Sequence, residues 1–127
     1  NPWDSIKDEI YGNSKEQIRD FITERYGYDL TRTIDEIRPG YEFDATCQGS
    51  VPEAITAFLE GESYEDTVRK AVSIGGDSDT IACIAGAIAE GFYGSVPKDI
   101  AHEALSRLDD NICHILSEWY TWMGGEK

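Results

Sequence analysis

Apolar residues recur at helical spacing along almost the whole chain. Ile18, Phe21, Ile22 and Tyr26 follow Ser14-Lys15-Glu16-Gln17, which has the form of a capping box, and Gly27 offers a left-handed stop. Thr33 to Arg38 predicts one short helical turn that ends before Pro39, because the residue before a proline avoids helical dihedrals. Tyr41 to Gly49 has no clear period and predicts an extended loop. Ser50-Val51-Pro52-Glu53 reads as a second capping box, with Pro52 in the first turn, where its missing N–H does no harm. That helix carries Ile55, Phe58 and Leu59 and stops at Gly61. Ser63-Tyr64-Glu65-Asp66 caps the next, which carries Val68, Ala71, Val72 and Ile74 and ends at Gly75-Gly76.

The stretch from Ser78 to Tyr93 differs in kind. Ala82, Ala85, Gly86, Ala87 and Ala89 lie among Ile81, Ile84 and Ile88, so nearly every face is small or apolar and a central, buried helix is predicted. Gly86 inside it costs about 1 kcal/mol relative to Ala, which close approach of a neighbouring helix would explain. Gly94 ends it and Pro97 starts the next. Ala104, Leu105, Leu108, Ile112, Ile115, Leu116, Trp119 and Met123 form a further stripe, predicted to pack into a core. Asp109-Asp110 divides that stripe into two helices. No strand, repeat or linker is evident. The expectation is one all-α unit over residues 1–127.

Composition narrows the function. Lys and Arg total 11 against 25 Asp and Glu, a net charge of −14 at pH 7. Such a chain repels phosphate backbones and anionic membranes, so neither nucleic acid nor a membrane surface is an expected partner. Cys47, Cys83 and Cys113 are odd in number and far apart, which predicts reduced, small, buried side chains in a cytoplasmic protein. The longest apolar run, Ile81 to Ala89, is far short of the roughly 20 residues of a membrane span. The chain opens Asn1-Pro2-Trp3 without Met, so an upstream segment is expected to be missing. His102 reads as solvated and His114 as a packing residue. Asp35-Glu36 and Asp109-Asp110 read as caps and solvated faces.

One cluster carries chemistry: Gly75-Gly76-Asp77-Ser78-Asp79-Thr80, at the mouth of the small-residue helix. Asp and Ser are favoured caps, and anions are stabilised at a helix N-terminus. Yet two carboxylates and a hydroxyl within four residues are also three hard oxygen ligands, suited to Mg²⁺ or Mn²⁺ and not to zinc. Both readings stand on the residues alone.

Ser73-Ile74-Gly75-Gly76-Asp77-Ser78-Asp79-Thr80-Ile81-Ala82, with Ala85-Gly86-Ala87-Ile88-Ala89 and Phe92-Tyr93-Gly94, resembles the C-terminal signature of the ADP-ribosylglycohydrolases, relatives of dinitrogenase-reductase-activating glycohydrolase. Ile37-Arg38-Pro39, Phe43-Asp44 and Cys47 through Ile55 resemble bacterial members. The resemblance implies an all-α, orthogonal multi-helix bundle with a dinuclear Mg²⁺ or Mn²⁺ centre. Its metal ligands fall on Asp77, Asp79 and Thr80, and Gly75, Gly76 and Ser78 are candidates for substrate binding. It implies hydrolysis of the glycosidic bond at the anomeric carbon of an ADP-ribosyl group, carried by a protein or a small ADP-ribose derivative. Arginine, serine and acetylated forms are all handled within the family, so the linkage stays open.

The family's pattern also has an N-terminal half with G-D-x-x-G and T-D-D-T elements, which supplies further metal ligands and a catalytic acid. Neither element occurs here. Three side-chain ligands do not fill the six-oxygen octahedron of one Mg²⁺, still less a pair. The catalytic residues are therefore expected in a missing N-terminal half, and the 127-residue chain alone is expected to be inactive. A complementing N-terminal half or a second copy of the chain is the implied partner. The alternative is a non-catalytic, self-associating helical module derived from the same family.

Overall fold

Five of the helices begin where a side chain satisfies a free backbone N–H group, at Ser14, Thr33, Thr46, Ser63 and Asp109. The computed structural model describes residues 14–124. Its elements are α1 (Lys15–Tyr26), α2 (Ile34–Ile37), a 3-10 turn (Arg38–Gly40), α3 (Cys47–Glu60), α4 (Tyr64–Ser73), α5 (Ser78–Tyr93), α6 (Lys98–Ser106) and α7 (Asp110–Trp122). No strand occurs among the described residues, as an all-α chain requires. Ser14 forms the full capping box with Gln17, and Ser63 and Asp109 cap α4 and α7 through the N–H groups of Asp66 and Ile112. Gly27 and Gly94 end α1 and α5 in the left-handed conformation.

The start of α3 departs from expectation. Ser50 is not its cap. The helix begins a turn earlier, at Cys47, with the Thr46 hydroxyl accepting from the Gly49 N–H. Asp44 holds Thr46 in place, its Oδ1 accepting from the Thr46 N–H at 2.8 Å and hydroxyl at 2.6 Å. Pro52 consequently lies inside the helix, where it removes one backbone hydrogen bond.

The chain groups into two compact units, up to Ser95 and from Val96. In the first, the core joins α2 to α5 through Ile34, Ile37, Ala54, Ala57, Ala71, Ile74, Ile81 and Ala85. The most buried helix is α3, in which every residue from Pro52 to Phe58 is buried, and not α5 as expected. On α5 only Ile81, Ala85, Gly86 and Ala89 are buried. Their spacing of about four residues defines one face, and residues two positions away point about 200° from it. Gly86 lies against α4, where an added Cβ would sit 3.3 Å from the Tyr64 hydroxyl. The close helix approach inferred from Gly86 is present.

Three expectations about burial are corrected. Cys47 and Cys83 are exposed and Cys113 only half-buried, because the first begins a helix and the second lies on the open side of α5. His114 does not pack: it is exposed and sits 3.3 Å from Glu118 in an i,i+4 pair. In the second unit neither α6 nor α7 has a buried residue, so the stripe from Leu105 to Met123 does not form a core. In the first unit α1 likewise buries none. It is fastened by Lys15, whose ammonium donates to the Phe58 and Gly61 carbonyls and the Tyr93 hydroxyl, above the rings of Phe58, Phe92 and Tyr93.

Ile81→Ala, at a fully buried site, is expected to cost about 2–5 kcal/mol in denaturant unfolding. Phe21→Ser, at a residue 62% exposed, is expected to change stability by less than about 0.5 kcal/mol.

Candidate metal centre

The loop between α4 and α5 is shaped by its neighbours. Arg38 donates from Nε to the Ser73 carbonyl at 3.1 Å and from Nη2 to the Ser73 hydroxyl at 3.0 Å, fixing the end of α4. Gly75 and Gly76 follow with φ of 85° and 62°, a left-handed pair that other residues adopt only under strain. Gly76 is also sterically required, since a Cβ there would lie 2.6 Å from the Tyr41 ring. The glycines thus serve the turn and the packing of Tyr41 upon it.

This turn delivers Asp77, Ser78, Asp79 and Thr80 to the first turn of α5. Asp77 and Ser78 are half-buried, while Asp79 and Thr80 are exposed. Asp77 is the N-cap residue, yet its side chain makes no capping hydrogen bond. Ser14, Thr33, Thr46, Ser63 and Asp109 all make one in that position. The capping reading of Asp77 therefore lacks the bond that defines it.

Asp79 follows two residues later in the first turn of α5. The neighbouring Asp77 side chain first, and then the Thr80 N–H that donates to Oδ1 at 3.0 Å, hold the Asp79 carboxyl below its ordinary pKa. Asp77, Asp79 and Thr80 are thus brought together at one helix end. They are two carboxylates and a hydroxyl, and no group of three or more His, Cys, Asp or Glu side chains placed to hold a metal occurs among the described residues. The set fits hard-cation chemistry, with most of an octahedral shell left to other ligands.

A second layer escaped the sequence reading. The Tyr41 hydroxyl donates to the Gly49 carbonyl at 2.5 Å. Gly49 has no room for a side chain because the Asp44 carboxyl lies against it. One turn further along α3 is Glu53, with a side chain only 7% exposed. Burial raises the Tyr41 pKa first, and the charges of Glu53, Asp44 and Asp77 add to it. Burial also pushes the Glu53 carboxyl up; its own N–H and Arg32 act against this, and Asp44 adds to it. The sequence signal for this layer is an acidic residue, Glu53, set between Val51-Pro52 and Ala54-Ile55.

The comparisons with known proteins agree with the residues. A family description of ADP-ribosylglycohydrolases matches residues 4–122. The chain belongs to that family. A stretch of 44 residues is 48% identical to a protein of Archaeoglobus fulgidus described only as uncharacterized, and covers 33% of this chain and 14% of that relative. No solved structure matches.

Asp44 offers a pH test of the loop. Its hydrogen bonds from the Thr46 hydroxyl and then the Thr46 N–H lower its pKa below 3.8. A depressed folded-state pKa stabilises the protein above the unfolded value, and that contribution is lost as pH falls through the folded value. Carbon-detected NMR titration is expected to show Asp44 ionising below 3.8, and Thr46→Val is expected to return it toward that value.

Proposed function

We propose that this chain supplies the Gly75-to-Thr80 part of a dinuclear Mg²⁺ or Mn²⁺ centre in an ADP-ribosylglycohydrolase, with Asp77, Asp79 and Thr80 as ligands. The observation that supports it is an N-cap carboxyl, Asp77, whose capping bond is unmade, two residues before Asp79 at the head of the same helix. When bound, the cations orient ribose hydroxyls and a water and stabilise developing charge at the glycosidic bond. The substrate class is an ADP-ribosylated protein or a small ADP-ribose derivative. Here Asp77 and Asp79 provide the negative charge, Thr80 a neutral oxygen, and the left-handed Gly75-Gly76 turn sets their direction. Gly75, Gly76 and Ser78 remain the proposed contacts to substrate. The acid and the remaining ligands belong to residues outside this chain, in a complementing N-terminal half.

Calorimetry with Mn²⁺ is expected to show weak binding that Asp77→Asn and Asp79→Asn each abolish. The chain by itself is expected to release no ADP-ribose from a modified substrate. Robust release by the chain, or unchanged Mn²⁺ binding in both variants, contradicts the proposal.

One observation favours a second reading, a self-associating helical module. Trp119 and Trp122 on α7 are 52% and 77% exposed, with ring centroids 5.2 Å apart. Exposed aromatic residues clustered in this way are typical of association surfaces. Sedimentation is expected to show a concentration-dependent dimer under this reading, converted to monomer by the double substitution Trp119→Ser and Trp122→Ser.

A further inference from the structure

The C-terminal ends of α3 and α5 enclose a charge that the proposed centre does not use. Lys15 Nζ donates to the Phe58 carbonyl at 2.9 Å, to the Tyr93 hydroxyl at 2.8 Å and to the Gly61 carbonyl. The three N–H donors of the ammonium thus meet three neutral acceptors. The rings of Phe58, Phe92 and Tyr93 complete the cage, with centroids 4.7, 5.4 and 5.2 Å from the nitrogen.

These receiving groups are set by elements other than α1. Phe58 lies in the last turn of α3, where carbonyls have no helical N–H to pair with and the helix dipole is negative. Gly61 ends that helix and packs so closely on α4 that an added Cβ would lie 3.0 Å from the Thr67 Cα, which fixes its carbonyl. Phe58 is 1% exposed and meets Phe92 edge-on, and Phe92 meets Tyr93 in the same way. The Tyr93 hydroxyl also donates to the Gly61 carbonyl at 3.2 Å, joining the two helix ends directly. By contrast α1 brings little besides Lys15. None of its residues is buried, and among the described residues Lys15 is its one side chain that hydrogen-bonds beyond the helix and its cap.

We propose that the ends of α3 and α5 form a binding site for a primary alkylammonium group, and that α1 is the ligand of this site in cis. The site selects a primary ammonium because three acceptors match three donors. A quaternary ammonium satisfies the rings and leaves the oxygens unpaired. An external alkylammonium and Lys15 therefore compete for one place.

The test follows the Phe58, Phe92 and Tyr93 ring resonances by NMR at constant ionic strength. Butylammonium, which reproduces the end of a lysine side chain, is expected to shift them saturably in Lys15→Ala. Wild type is expected to bind it more weakly, because Lys15 has to leave first. Tetramethylammonium keeps the charge without a donor and is expected to bind the variant about tenfold more weakly than butylammonium. A 12-residue helix is marginal alone, so the α1 amides of the variant are expected to exchange about tenfold faster or more, with those of Ile81 and Ala85 unchanged. Tyr93→Phe, which removes one acceptor and leaves Lys15 in place, is expected to speed α1 exchange in the same way. It decides the matter if the Ala variant fails to fold. Unmoved ring resonances, equal binding of the two cations, equal butylammonium binding by wild type and variant, or unchanged α1 exchange overturns the proposal.

Discussion

The first unit depends on how closely α3, α4 and α5 approach one another. Ala54, Ala57, Ala71, Ala85 and Ala89 are each fully buried, and Gly86 faces α4 without a Cβ. Small residues let backbones come near, and the larger Phe58, Ile34 and Ile81 fill what remains. Because α4 and α5 are consecutive and packed together, the chain between them has to reverse within Ile74, Gly75, Gly76 and Asp77. A reversal that short takes two left-handed residues, and only glycine adopts them freely. The direction in which Asp77 enters α5 is therefore a consequence of helix packing several residues away.

The same geometry concentrates charge. Asp77 and Asp79 both lie at the start of α5, while Asp44 and Glu53 act on Tyr41 from the loop before α3 and from α3 itself. A helix N-terminus favours negative charge by up to about 1 kcal/mol at an exposed position, too little to hold several carboxylates in one region. A cation bound there would lower this cost and so tie occupancy to the order of the loop. The net charge of −14 also overstates what an anionic diphosphate would meet, since two of the 25 carboxylates are proposed to be screened by that cation.

Helix existence is readable in this sequence wherever the cap residue and the apolar period agree, as at Ser14, Ser63 and Asp109. The start of α3 is not, because Gly49 and Pro52 argue against a helix that the Asp44–Thr46 contact nonetheless initiates. Burial is less legible than helicity. An apolar stripe on α1 or α7 has the same period whether or not anything covers it, so the exposure of Phe21, Ile115 and Trp119 leaves no trace in the pattern. The site divides in the same way. Asp77, Asp79 and Thr80 are adjacent in sequence and stand out, whereas Tyr41, Asp44 and Glu53 acquire meaning only through the packing of Tyr41 on Gly76 and of Asp44 on Gly49.

The fastening of α1 by Lys15 has a thermodynamic consequence. No residue of this helix is fully buried, and its anchor is an ammonium among two carbonyls, a hydroxyl and three rings. Detaching it exposes less apolar surface than opening the core, so the heat capacity of that step is smaller and its free energy curves less with temperature. The core around α3 follows the usual curved profile, because its unfolding hydrates buried hydrocarbon. The two therefore respond differently to cooling: the core approaches a stability maximum and then weakens, while the clasp on α1 follows a flatter profile.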